Sequence, residues 1–143
     1  MSDPHELSRF TDAQDAGGTY DRALAELRAG RKTSHWMWFV FPQVAGLGHS
    51  PTSQHYAIAD LDEARAYLAH PVLGPRLREC AAALLELDGD RTADAVLGSV
   101  DALKLRSSMT LFAAAAGSGE HVFADVLARY SGGEADPATT ARI

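Results

Sequence analysis

Residues 34–43 hold most of the side chains in this sequence that could recognise a small molecule. The segment reads Ser-His-Trp-Met-Trp-Phe-Val-Phe-Pro-Gln and contains both tryptophans of the chain. Trp36 or Trp38 could stack on a planar group such as a base or a nicotinamide ring. His35 is a candidate general acid or base, and Gln43 can hydrogen-bond sugar or amide groups. The segment is therefore either the wall of a ligand pocket or an aromatic plug around which the core packs.

A second polar group lies on a predicted helix at residues 100–116. At about 100° per residue, apolar side chains cover nearly the whole circumference, which is typical of a buried helix. Asp101, Lys104 and Ser108 share one narrow polar sector, and Ser107 borders that sector. Because an unpaired buried charge is costly, the sector predicts either an internal ion pair, such as Lys104 with Asp101, or a wet cavity. Asp101 is a second candidate base.

The basic residues offer two candidate anion ligands beyond Lys104. Arg31 and Lys32 follow the second predicted helix, where they either interact with the helix dipole or form half of an anion-binding rim. The chain has only two lysines, Lys32 and Lys104, against eleven arginines. In a composition this biased towards arginine, a retained lysine suggests a need for lysine itself.

Helix signals recur along the chain and predict about seven helices joined by short loops. The capping box at residues 60–63 and the helix stop at Gly30 are two examples. Ser34 is predicted to cap a short helix through Trp38 or Phe39, with a buried strand as the alternative. The predicted fold class is therefore all-α, as one compact domain over residues 1–143 around a buried late helix.

The composition fits one globular domain and excludes several classes of function. The chain has 143 residues, of which 46% are hydrophobic and 22% are charged. Its net charge of −6 argues against nucleic-acid binding, which needs a broad basic surface. Cys80 is the only cysteine and falls on an apolar helix stripe, which predicts a core residue in a reducing compartment. Without a long apolar run or a signal peptide, we expect a cytoplasmic protein that does not bind membranes.

The sequence predicts neither a metal site nor a cofactor. His35, His49, His55 and His70 lack the helical spacing of metal ligands. The Gly-Leu-Gly sequence at 46–48 is predicted as a turn, with a phosphate-binding loop as the alternative, and no strand precedes it.

Five sequence blocks carry a family resemblance. They read Ser-His-Trp-Met-Trp-Phe-Val-Phe-Pro-Gln at 34–43, Gly-Leu-Gly at 46–48, Leu-Asp-Glu-Ala-Arg-Ala-Tyr-Leu at 61–68, His-Pro-Val-Leu-Gly at 70–74 and Leu-Lys-Leu-Arg-Ser-Ser-Met-Thr-Leu-Phe at 103–112. Together they resemble domain-of-unknown-function family 1810. The resemblance covers residues 6–133, leaves 134–143 as a C-terminal turn or tail, and implies a mainly α-helical single domain. The family brings no established activity or catalytic residues.

A shorter similarity is to helical domains that process ADP-ribose-type ligands by N-glycosidic cleavage. Those domains place a lysine and a methionine on a late helix that ends in an aromatic residue, as Lys104, Met109 and Phe112 are placed here. This similarity implies a ligand that carries phosphate and a glycosidic bond.

These observations predict a small-ligand site between residues 35–43 and the helix that carries Lys104. The ligand class is a nucleotide or an ADP-ribose-like compound, and therefore a phosphorylated small molecule; the reaction class is hydrolysis of a glycosidic or related bond. Candidate catalytic residues are His35, Lys104 and Asp101, and candidate ligand-binding residues are Trp36, Trp38, Gln43, Arg31, Lys32, Ser107 and Ser108. The alternative is a non-catalytic protein-interaction module, of unknown partner, in which the aromatic block is structural core.

Overall fold

Helices account for the regular structure of the chain. The computed structural model describes residues 3–143 and confirms the all-α prediction. The helices are α1 Ser8–Asp15, α2 Thr19–Ala29, α3 Met37–Val40, α4 Pro51–His55, α5 Leu61–Ala69, α6 Leu73–Leu85, α7 Ala93–Leu97, α8 Ser99–Ala115, α9 Val122–Ser131 and α10 Pro137–Thr140, with a 3-10 turn at Ala16–Gly18. Six of them have eight or more residues and four have only four or five, so the predicted count of about seven is approximate.

Local sequence signals set most helix boundaries. Gly30 ends α2 with a φ of 76°, a conformation that glycine adopts without steric cost. The Asp60 carboxylate accepts a hydrogen bond from the Glu63 amide at 2.9 Å and so caps α5. None of the helices within residues 3–143 combines the length and the apolar character needed to cross a bilayer.

The aromatic segment forms a short helix, but one that begins two residues later than predicted. Only Met37–Val40 is helical, and Trp36 occupies the N-cap position. The prediction that Ser34 caps this helix is wrong, because its amide and hydroxyl both donate hydrogen bonds to the Glu26 carboxylate. Within the described residues, β pairing is limited to one bridge between Val44 and Ile58, so the strand alternative for this segment is excluded.

Helix α8 is the central element of the domain, and it packs against α5, α7, α9 and α10. From Leu105 onward its large apolar side chains are buried as predicted, whereas Ala114 is exposed. The prediction of burial on all sides is wrong for the first two turns, where Val100 and Leu103 are each 66% exposed. These turns extend past the core, so apolar side chains on this part of the helix face an open surface.

A ladder of aromatic rings runs through the core beside α8. The centroids of Phe10 and Tyr67 are 5.1 Å apart, those of Tyr67 and Phe112 are 5.3 Å apart, and those of Phe112 and Phe123 are 5.9 Å apart. These four rings are fully buried, and each contributes roughly 1.5–3 kcal/mol by its burial. Cys80 lies in the same core as predicted, and burial raises the pKa of its thiol to about 12.

The C-terminal segment, residues 134–143, is tied to α8. The Arg106 guanidinium donates to the carbonyl oxygens of Glu134 at 2.9 Å and Ala135 at 2.7 Å. The Asp136 amide donates to Thr110 Oγ1 at 2.9 Å. This segment therefore stands against the same helix that carries the predicted site residues.

Candidate functional site

A surface groove of about 550 Å³ opens where the aromatic segment meets the first turns of α8. Its walls come from the aromatic segment, the following loop with the start of α4, helix α8 and the C-terminal segment. The lining includes the side chains of Trp38, Gln43, His49, Val100, Leu103, Lys104, Ser107 and Asp136. A volume in this range suits a small organic ligand.

Helix α3 determines which aromatic side chains reach the groove. Met37 and Val40 are three positions apart, so they share one face, and both are buried in the core. Trp38 points about 100° away from Met37 and is only half-buried. One turn of helix thus directs Trp38 towards α8.

Lys104 faces Trp38 across the groove. Its Nζ lies 4.9 Å from the centroid of the Trp38 ring, within cation–π distance. The same Nζ lies 3.4 Å from Asp101 Oδ1, one helical turn earlier. The Lys104 side chain is 24% exposed, so its ammonium group combines a partial ion pair with access to the groove.

Asp101 is shared between the two lysines of the chain. Lys32 Nζ lies 2.9 Å from Asp101 Oδ2, and 5.1 Å from the centroid of the Trp36 ring. Two ammonium groups and one carboxylate give this cluster a net charge of +1, although the protein as a whole carries −6. A partly buried excess of positive charge beside a groove attracts anions.

Trp36 belongs to the core and not to the groove. Its ring is fully buried, and its Nε1 donates to Glu26 Oε1 at 3.0 Å. The same carboxylate accepts hydrogen bonds from the amides of Thr33 and Ser34 at 2.7 and 3.0 Å. Burial alone would raise the pKa of Glu26, but the hydrogen bonds from Ser34, Thr33 and Trp36 lower it to about 2. The carboxylate is therefore ionised and saturated with donors.

The remaining predicted site residues divide into three groups. Gln43 and Ser107 line the groove, and Ser107 Oγ donates to Asp136 Oδ2 at 2.9 Å. His35 and Arg31 are exposed and do not line it. Ser108 is fully buried, and its Oγ has no hydrogen-bond partner among residues 3–143.

Sequence reasoning missed Asp136. Its carboxylate accepts hydrogen bonds from Thr139 Oγ1 at 2.6 Å and from Ser107, and it lines the groove. Burial would raise the pKa of Asp136, but the bonds from Thr139 and Ser107 hold it below its usual value. The signal was present, since Asp136 precedes Pro137 as an N-cap precedes the first helical residue.

The arrangement is better suited to holding a ligand than to a defined chemical step. The groove offers an indole face, an ammonium group, a side-chain amide and two exposed apolar side chains. Of the three predicted catalytic residues, Lys104 lines the groove and Asp101 contacts Lys104, whereas His35 is outside. No group of three His, Cys, Asp or Glu side chains within residues 3–143 is arranged to hold a metal ion.

The structure therefore defines an all-α domain with a surface groove beside α8. The sequence matches the model of the family described as "Protein of unknown function (DUF1810)" over residues 4–143, so the chain belongs to that family. The family resemblance seen in the sequence blocks is thereby confirmed, and the match includes the C-terminal segment.

A solved structure shares the whole fold. The conserved hypothetical protein Rv1873 from Mycobacterium tuberculosis is 49% identical and superposes with a TM-score of 0.92. The superposition covers 97% of this chain and 96% of that chain. A comparison with curated proteins found no match.

Proposed function

We propose that the groove binds a small phosphorylated ligand with a planar ring, of the nucleotide or ADP-ribose class. The observation that carries the proposal is the Lys104 ammonium group, 4.9 Å from the centroid of a half-buried indole. A cation beside a stacking surface complements a ligand that joins an anion to a ring.

The surroundings of Lys104 strengthen its suitability as an anion ligand. Asp101 neutralises only one of the two ammonium groups that it contacts, and the contact to Lys104 is the longer of the two, at 3.4 Å against 2.9 Å. A phosphate oxygen can therefore approach Lys104 without first breaking a tight ion pair. Stacking on Trp38 would add about 1–3 kcal/mol.

Hydrolysis of the bound ligand is the catalytic form of this proposal. Asp101 is the candidate base within contact distance of Lys104 Nζ. His35 is exposed and outside the groove lining, so it would take part only as a residue of the rim.

Isothermal titration of the protein with ADP-ribose, AMP and UMP tests the binding proposal. We expect at least one of the three to bind, and Lys104→Met to weaken that binding at least tenfold. Arg65→Met is the matched control, because it also removes one positive charge, from an exposed i,i+3 pair with Asp62. Its affinity should stay within threefold of the parent. Absence of binding to all three compounds, or an unchanged affinity of Lys104→Met, would overturn the proposal.

A second candidate function is a protein-interaction module that uses the same surface. The 66% exposure of both Val100 and Leu103 favours it, because large apolar side chains on one exposed helix face are typical of docking sites. A Val100→Ser/Leu103→Ser variant separates the two candidates. If the variant binds the titrated nucleotide within threefold of the parent, the apolar pair lies outside the ligand site and is available to a protein partner; a tenfold loss assigns both side chains to the ligand site.

A further inference from the structure

A second, smaller cavity of about 110 Å³ adjoins the groove. We infer that this cavity, called here the side pocket, receives one uncharged ring of the ligand with a hydrogen-bonding edge like that of a pyrimidine base, while the phosphate stays beside Lys104. The inference rests on the proposed function and adds to it the kind of ring that the site selects.

The side pocket and the groove form one continuous site. Trp38, Gln43, Gly48 and Ser53 line both cavities. A ligand whose phosphate lies beside Lys104 can therefore extend past Trp38 into the side pocket. Nucleotides have this composition, because a ribose joins an anionic group to an uncharged ring.

The lining of the side pocket excludes a charged group. Its walls are the side chains and backbone of Trp38, Val44, Tyr56 and their neighbours, and no Asp, Glu, Lys, Arg or His contributes. A charge placed there would lose hydration without gaining a counter-ion, which costs several kcal/mol or more. The groove, by contrast, is lined by Lys104, Arg106 and Asp136. The anionic and neutral parts of the ligand are thus assigned to different compartments.

Gln43 is the residue that can read the edge of the ring. The backbone carbonyl oxygen of Gln43 accepts a hydrogen bond from the Ile58 amide at 2.8 Å, and the Ala45 amide donates to the Ile58 carbonyl oxygen at 2.8 Å. These two bonds fix the backbone that follows the Gln43 side chain. Within residues 3–143, the side-chain amide itself has no hydrogen-bond partner. A free amide presents one acceptor and two donors, which complement the imide or amide edge of a pyrimidine.

The size of the side pocket favours a single ring. A closed apolar cavity of about 150 Å³ in a protein core is known to hold benzene. The side pocket has about 110 Å³ and opens into the groove, so it has room for most of one six-membered ring and not for the two fused rings of a purine. Trp38 and Tyr56 supply aromatic wall area for such a ring. Uracil is uncharged, has one ring and carries an imide edge, so it meets all three conditions.

Titration calorimetry with UMP, AMP and ribose 5-phosphate tests the inference on the unmodified protein. We expect UMP to bind at least tenfold more tightly than AMP, and at least tenfold more tightly than ribose 5-phosphate, which lacks the ring. Equal affinity for UMP and AMP, or for UMP and ribose 5-phosphate, would overturn the inference. In either case a Lys104-dependent affinity for AMP or ADP-ribose that exceeds the affinity for ribose 5-phosphate would leave the proposed function standing.

A pair of glutamine variants locates the selectivity. Gln43→Leu should lower the affinity for UMP at least tenfold and leave ribose 5-phosphate within threefold. Gln54→Leu is the matched control on the same pocket, because the Gln54 amide already donates to the His49 carbonyl at 3.1 Å. Its affinity for UMP should stay within threefold of the parent. A Gln43→Leu protein with the same melting temperature as the parent and the same affinity for UMP would contradict the role of Gln43.

Discussion

The protein contains two lysine–tryptophan pairs that are nearly alike in geometry and differ in accessibility. Lys32 lies 5.1 Å from the Trp36 ring, and Lys104 lies 4.9 Å from the Trp38 ring. Both lysines contact the same carboxylate, that of Asp101. In the first pair the lysine is 9% exposed and the indole is fully buried, whereas in the second the lysine is 24% exposed and the indole lines the groove.

This difference shows that surrounding residues, and not residue type or distance, separate a buried pair from one that an incoming ligand could reach. The indole N–H of Trp36 is satisfied by Glu26, and its ring has no contact with solvent. Trp38 instead lines two open cavities, the groove and the side pocket. We call Lys32 with Trp36 the closed pair, and Lys104 with Trp38 the open pair.

Truncation of the two tryptophans should give the largest contrast. Trp36→Ala removes a fully buried ring and leaves Glu26 without one donor, so we expect a loss of about 3–5 kcal/mol in the free energy of unfolding. Trp38→Ala should cost about 1 kcal/mol, because this ring is only half-buried. Urea denaturation measures both values. Equal losses would mean that the two pairs do not differ as described.

Acid should weaken the closed pair through Glu26. Its pKa is about 2 in the folded protein against 4.5 as the ordinary value, so this carboxylate contributes stability above pH 4.5 that is lost as the pH falls towards 2. Between pH 5 and pH 3 the contribution should fall by about 2 kcal/mol. Urea denaturation at the two pH values measures it, with Glu26→Gln as the reference. A pH dependence of the same size in Glu26→Gln would assign the effect to other carboxylates.

Removal of the lysine charge should mainly lower stability in the closed pair and mainly lower ligand affinity in the open pair. Lys32→Met breaks a short, largely buried ion pair, and we expect a loss of about 2 kcal/mol in unfolding free energy. Ligand affinity should fall less than in Lys104→Met, because Lys104 remains in the groove but Asp101 then pairs with it alone. Lys104→Met should cost less than about 1 kcal/mol, since its contact with Asp101 is longer and more exposed, but it should weaken ligand binding. Thermal unfolding measures the stability of both variants, and titration calorimetry measures their ligand affinity. The comparison fails if Lys32→Met loses more affinity than Lys104→Met.

The sequence predicts the helices well because their limits depend on neighbouring residues. Gly30 and the Asp60–Glu63 capping box act within one helical turn, so they can be recognised without knowledge of the fold. The short aromatic run is different. Its four-residue helix is too short to show a period, and so the sequence could not tell which tryptophan faces the core.

The site depends on contacts between distant parts of the chain, and these explain what the sequence could not predict. Glu26 lies ten positions before Trp36, and Asp136 lies 29 positions after Ser107. Local spacing marks Asp136 as an N-cap, but it does not mark either carboxylate as the partner of a distant residue. Lys104 was identified by its position in a polar sector of an apolar helix, but its approach to Trp38 follows only from the packing of α8 against the aromatic segment.

Tryptophan fluorescence tests the central claim most directly, because each pair contains one of the two indoles of the chain. In Trp36→Phe the only indole is Trp38, and in Trp38→Phe the only indole is Trp36. We expect titration with UMP or ADP-ribose to change the emission of Trp36→Phe and to leave that of Trp38→Phe unchanged. A change in Trp38→Phe together with none in Trp36→Phe would contradict the assignment of the open pair as the ligand site.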